Sequence, residues 1–150
     1  MACPMKTFRK AWFPNFGDAG QITHYFPAIN AFGIARNGDE VRETFVIDSG
    51  ADLSMASREF CEELGLNWED GTPIRLKGIS PTPECDVIAR VQEVTLLIRE
   101  VNQRIRVPVA FVDGDVASLI GREGFFDAFR VEFDKPFRTT SLEFLLDDAE

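Results

Sequence analysis

The sequence predicts one mainly β domain with one or two short helices. Three observations carry this expectation. At 150 residues the chain is long enough for one core and too short for two ordinary ones. Apolar residues make up 45% and charged residues 27%, the balance of a globular chain. The apolar residues fall in short segments rich in β-formers, separated by turn-forming residues.

Each element has its own signal. Tyr25 to Ala35 is rich in β-formers and predicts a strand. Arg36-Asn37-Gly38-Asp39 supplies an Asn-Gly hairpin turn. The return strand, about Glu40 to Ile47, alternates Val41, Phe45 and Ile47 onto one face. Ser57 caps a short helix with Phe60, Cys61 and Leu64 as its apolar stripe, and Gly65 stops it. Ile74 to Ile79 predicts a strand, Ser80 to Glu84 a loop, and Val87 to Ile98 a long strand. Ile105 to Val112 predicts another, with Pro108 marking an edge or a bulge. After the Asp113-Gly114-Asp115 turn, Ser118 to Gly121 reads as a short strand entering a turn, and Glu123 to Phe129 as a helix of about two turns. Val131 to Phe133 and Leu142 to Leu145 read as a closing hairpin around Asp134-Lys135-Pro136.

Charge and composition exclude several function classes. Twenty-five acidic against 16 basic residues leave a net charge of −9, which repels nucleic acid. No apolar run approaches the length of a membrane span, so no membrane partner is expected. Cys3, Cys61 and Cys85 are odd in number and widely spaced, which suits a reducing, cytoplasmic compartment rather than a disulfide framework. With His24 as the single histidine, a multi-histidine metal centre is excluded, and neither metal nor cofactor is expected. Residues 1–24 read as an N-terminal extension, 25–146 as the domain and 147–150 as an acidic tail. The start lacks an apolar export core, because Pro14, Asn15 and Asp18 interrupt it. Its aromatics Trp12, Phe13 and Phe16 either dock on the domain or ride on a loose tail.

The chemistry centres on Asp48-Ser49-Gly50. The apolar run Phe45-Val46-Ile47 delivers Asp48 directly at its end, and a carboxylate there is costly without hydrogen bonds or a function. About seventy residues later Leu119-Ile120-Gly121-Arg122 repeats the form, an apolar pair and then Gly at a turn. A Ser49–His24 hydrolase couple lacks the Gly-x-Ser-x-Gly elbow. A cation site at Asp113 and Asp115 rests on charge alone.

In Phe45 to Asp52 and Leu119 to Arg122, in that order and at that spacing, the chain resembles the retropepsin-like aspartic proteases. The resemblance spans Ala28 to Leu145 and implies a single-lobe acid-protease β-barrel. It implies an aspartic endopeptidase in which a water is held between two aspartates, one carboxylate acting as base and the other, protonated, as acid. This chain has one Asp-Ser-Gly motif, so the second Asp48 must come from another copy in a C2 homodimer. The resemblance implies that Ser49 bonds across the two-fold axis and that the Gly50 N–H points at the carboxylate or the water. It further makes Ala51 part of the loop and Asp52 with Arg122 a supporting pair. Lys77-Gly78-Ile79-Ser80 falls at the flap over a bound peptide or protein substrate, and Pro81 and Pro83 depart from the glycine-rich flaps of the family. The alternative is a catalytically silent module of the same fold, kept for dimerisation or peptide binding.

Overall fold

The computed structural model describes residues 6–76 and 87–145. Most of them lie in three sheets. The strands are β1 (Thr7–Ala11), β2 (Phe13–Phe16), β3 (Ile22–Phe26), β4 (Ala28–Ile34), β5 (Glu40–Ile47), β6 (Ser54–Ser57), β7 (Thr72–Leu76), β8 (Val87–Ile98), β9 (Gln103–Val112), β10 (Leu119–Ile120), β11 (Phe129–Asp134) and β12 (Thr139–Phe144). Two short helices, α1 (Arg58–Glu63) and α2 (Phe125–Ala128), and a 3-10 turn at Trp68–Asp70 complete the described elements.

The main sheet runs β4-β5-β10-β6-β9-β8-β7 and closes on itself where β4 also pairs with β8, at Phe32↔Leu97 and Gly33↔Leu96. Closure leaves the inward-facing side chains a common interior. Phe45, Phe60 and Phe111 meet there with ring centroids 6.1 and 6.4 Å apart, and all three are buried. Phe125, Phe129 and Phe144 extend the core at 5.0 and 5.4 Å. Edge-to-face and offset contacts of this kind add to the area term. Phe8 of β1 joins them from outside, edge-on to Phe129 at 6.3 Å.

Several elements differ from expectation, each for a physical reason. Thr7–Ala11, read as part of the extension, pairs antiparallel with β12 from Thr7↔Glu143 to Ala11↔Thr139, because Phe8 finds an apolar face to cover. The strand expected over Tyr25–Ala35 is two, since Pro27 interrupts the run between β3 and β4. β3 instead turns back on β2 as a separate hairpin. The two-turn helix expected over Glu123–Phe129 is a single turn. Gly124 enters it with φ +84°, and Phe129, drawn into the core, starts β11 in extended conformation. The closing hairpin is longer than expected, running from Phe129↔Phe144 to Asp134↔Thr139. Pro108 lies inside β9 opposite Glu93, one residue before the ladder with β6 begins at Val109. α1 forms as expected: the Ser57 hydroxyl accepts from the Phe60 N–H at 3.3 Å, and Phe60 and Cys61 are buried.

Candidate active site

Two segments distant in sequence build the site. β5 carries Phe45 and Ile47 into the core and releases Asp48 at its end, half-buried. β10 lies parallel to β5, with Leu119 opposite Val46 and Ile120 opposite Ile47. The backbone then zips the two together. Val46 N–H donates to Ser118 O at 2.9 Å and Asp48 N–H to Ile120 O at 2.8 Å. Arg122 N–H donates to Ala51 O and Glu123 N–H to Asp52 O, both at 2.9 Å. The loop holding Asp48 is thus fixed at both ends by hydrogen bonds rather than left to its own preferences.

The carboxylate is oriented from within the loop, where the Gly50 N–H donates to Asp48 Oδ1 at 2.9 Å. Ser49 is exposed at the tip, and its carbonyl accepts from Arg122 Nη1 at 2.9 Å. Arg122 Nη2 also pairs with Asp52 Oδ1. The guanidinium therefore spans the loop from Ser49 to Asp52, a fork suited to two acceptors. Asp48, Gly50, Ala51 and Asp52 line a cleft of about 490 Å³ with Met55, Ile74, Leu76 and Leu119 along its apolar side. Ile74 and Leu76 come from β7. The expected flap residues Lys77, Gly78, Ile79 and Ser80 lie outside the described residues, while β7 and β8 on either side of them pair antiparallel from Thr72↔Val91 to Leu76↔Val87.

The Arg122–Asp52 pair is open to solvent in the single chain, with side chains 50% and 80% exposed. A pair so screened contributes about 0–1 kcal/mol to folding, not the several expected of a buried one. Arg122→Ala is therefore expected to lower the melting temperature of the isolated chain only slightly. Its larger effect falls on the Ser49 loop, whose carbonyl loses a charged donor. A chemical-denaturation midpoint far below wild type would show that the pair is buried in the working form.

Two contributors were missed in the sequence. Ser54 is fully buried, and its hydroxyl accepts from the Gly121 N–H at 3.1 Å, tying the turn after β10 to β6. β6 itself, a four-residue Ser-Met-Ala-Ser run, gave no strand signal. The second contributor is Glu43, whose Oε2 accepts from the Ser118 hydroxyl at 2.8 Å. Its signal was present, because Glu43 occupies the inward position between Val41 and Phe45 in an otherwise apolar alternation. Burial pushes its carboxyl above the usual 4.5; Ser118 opposes the shift, and Glu63 and Glu59 reinforce it.

The sign of the linkage follows. A carboxyl with a raised folded-state value gives stability below about pH 4.5 that is lost as pH rises through the folded value. Glu43→Gln is expected to match wild type in acid and to melt higher at neutral pH, as thermal melts across pH 4–8 would show. A neutral-pH melting temperature below wild type would mean that the charge is needed.

The other candidates fall away from the site. His24 sits on β3 and lines a different cleft. Cys61 is buried, and burial pushes its thiol up to about 11, which makes it inert as a nucleophile. Asp113 pairs with Arg58 at 3.3 Å.

A closed, mainly β lobe that zips an Asp-Ser-Gly loop against a second apolar-Gly-Arg segment defines a fold class. The comparisons give it its name. The structure is similar to that of a retropepsin-like aspartic protease from Rickettsia conorii, with a TM-score of 0.58 and 20% identity over 96% of this chain and 97% of that one. It is also similar to an EIAV protease in complex with the inhibitor HBY-793, with a TM-score of 0.47 and 17% identity over 67% of this chain and 85% of that one. The sequence matches no protein-family model and no curated protein. The chain has the retropepsin-like fold, on the strength of the first of these likenesses.

Proposed function

We propose that this protein is an aspartic endopeptidase whose active unit is a C2 homodimer, with Asp48 of each subunit forming the dyad. The observation that carries the reading is the presentation of Asp48. A strand that sends Phe45 and Ile47 into the core ends in a carboxylate that is hydrogen-bonded by its own loop and opens into a cleft with an apolar wall. Such a placement supports acid–base work better than a structural role.

One Asp48 serves as base and takes a proton from the bound water. The water oxygen attacks the scissile carbonyl carbon while the protonated partner carboxyl donates to the carbonyl oxygen. Collapse of the tetrahedral adduct then breaks the C–N bond, and the amine leaves with a proton. The chemistry asks for no cofactor and no metal. On this reading Ser49 bonds across the two-fold axis, which its exposure at the loop tip and the hold of Arg122 on its carbonyl support. The substrate is an extended peptide or protein segment lying against Ile74 and Leu76, and residues 77–80 are proposed to serve as the flap. The widely spaced, odd cysteines favour a reducing, cytoplasmic setting for it.

The reading is tested by concentration. If each subunit supplies half of the dyad, specific activity on a mixed peptide library falls on dilution as dimers dissociate, in step with the dimer fraction measured by sedimentation. Full activity in a demonstrated monomer overturns the shared dyad. A stable dimer that cleaves nothing across pH 3–8 overturns the enzyme and leaves the silent module.

A further inference from the structure

A second cleft, of about 530 Å³, opens where the exit of β1, strand β3 and the β11–β12 turn converge. Trp12, His24, Tyr25, Lys135, Pro136 and Arg138 line it, and it shares no residue with the Asp48 cleft. No acidic residue lines it, in a chain that carries nine more negative than positive charges.

Neither of its two cations holds an acid. Lys10, Arg58, Arg99, Arg106, Arg122 and Arg130 each hold an acid. Lys135 and Arg138, like Lys6, Arg9, Arg36, Arg42 and Arg104, hold none among the described residues, but these two share one cleft with aromatic walls. The nearest acid in sequence, Asp134, accepts the Phe137 N–H at 3.2 Å and pairs with neither. Arg138 has φ +53°, a backbone conformation that non-glycine residues rarely adopt. The turn holds it there: its N–H donates to Lys135 O at 3.1 Å and its carbonyl accepts from Trp12 N–H at 2.8 Å. Its guanidinium lies 4.1 Å from the centre of the Tyr25 ring. The indole is fixed as well, with Trp12 Nε1 donating to Thr140 Oγ1 at 2.9 Å. The result is a preset pocket with aromatic walls and two cations that hold no acid.

We infer that this cleft docks an acidic, apolar-containing peptide segment of the protein's substrate, apart from the bond that is cut. The inference rests on the endopeptidase reading for the identity of the partner. Charge complementarity selects the ligand: two cations without an acid partner, on an acidic chain, attract a carboxylate-rich segment and the aromatic walls take its apolar side chains. The volume suits about a tripeptide. A phosphate ligand is disfavoured because the backbone N–H groups of Trp12, Phe137 and Arg138 are already spent, so no cradle of donors is left.

The test measures binding on Asp48→Asn protein, so that no turnover is needed. A short rhodamine-labelled peptide of alternating acidic and apolar residues is titrated and followed by anisotropy. A Lys135→Gln, Arg138→Asn double variant removes both charges, and Asn tolerates the left-handed backbone. The expected result is saturable binding that weakens at least about tenfold in the double variant, two exposed charges contributing modestly each. Binding should also weaken with added salt, and the amide analogue of the peptide should not bind. In the protein with Asp48 intact, appending the acidic segment to a cleaved peptide should lower KM and leave kcat unchanged, and the double variant should lose that gain. No binding, equal binding by the double variant, or tighter binding of a single-stranded oligonucleotide overturns the inference. Salt-sensitive peptide binding without turnover of any peptide keeps the docking site and removes the endopeptidase reading instead.

Discussion

If the proposed reading holds, Asp48→Asn is expected to lower peptide hydrolysis by about 10³-fold or more while leaving the fold in place. The amide is isosteric with the carboxylate, and its oxygen still accepts from the Gly50 N–H, so the loop keeps its geometry. The amide can neither take the proton from water nor hold one to give to the scissile carbonyl. A loss of that size is about 4 kcal/mol of transition-state stabilisation. Because the reading divides the dyad between subunits, mixing the variant with wild type gives a further expectation. Heterodimers carry one carboxylate, so activity should fall faster than the wild-type fraction as the inert subunit is added. Initial rates on one cleaved peptide, with circular dichroism as the fold control, measure both effects. An Asp48→Asn protein within tenfold of wild type would place the chemistry elsewhere.

Gly121→Ala carries the second large effect, and it acts on the frame rather than on the chemistry. A Cβ at this position would lie 2.5 Å from Leu53 O, 2.6 Å from Leu53 C and 2.8 Å from Ala51 O. These are backbone atoms of the loop that holds Asp48, so no side chain can swing aside. The β10 turn and the loop must separate, which strains the bonds from Gly121 N–H to Ser54 Oγ and from Arg122 N–H to Ala51 O. Overpacking of this kind costs about 3 kcal/mol, a large part of the stability of a domain this size. Activity should fall with it even where the protein remains folded, because Ile120 O no longer sits where Asp48 N–H needs it. A urea midpoint equal to wild type would show that the two segments do not pack as described.

Part of this was written in local patterns. The long strand Val87–Ile98, the Asn37-Gly38 hairpin and the Ser57-capped helix each have a short-range cause and form where the residues predict them. The two segments of the site were legible for the same reason, since an apolar run that ends in Asp-Ser-Gly, or in Gly-Arg, is a local exception to ordinary strand patterning. β1, β6 and the one-turn α2 were not legible. β1 exists because Phe8 covers Phe129, and β6 because Ser54–Ser57 fills the place between β9 and β10. Propensity in a five- or four-residue window carries neither fact.

The sequence by itself determined the mainly β class, the acidic balance and the presence of one Asp-Ser-Gly loop at the end of an apolar run. These follow from residue type and periodicity, which act over a few residues. The tertiary structure decided what surrounds that carboxylate. It brought Gly121 against Leu53 and Ala51, set Arg122 across the loop from Ser49 to Asp52, buried Ser54 beneath the turn and placed Glu43 under Ser118. It also gathered Trp12, Tyr25 and, more than a hundred residues further on, Arg138 around one cleft. Contacts of that range depend on how the sheet closes, and closure is a property of the whole packed chain rather than of any window within it.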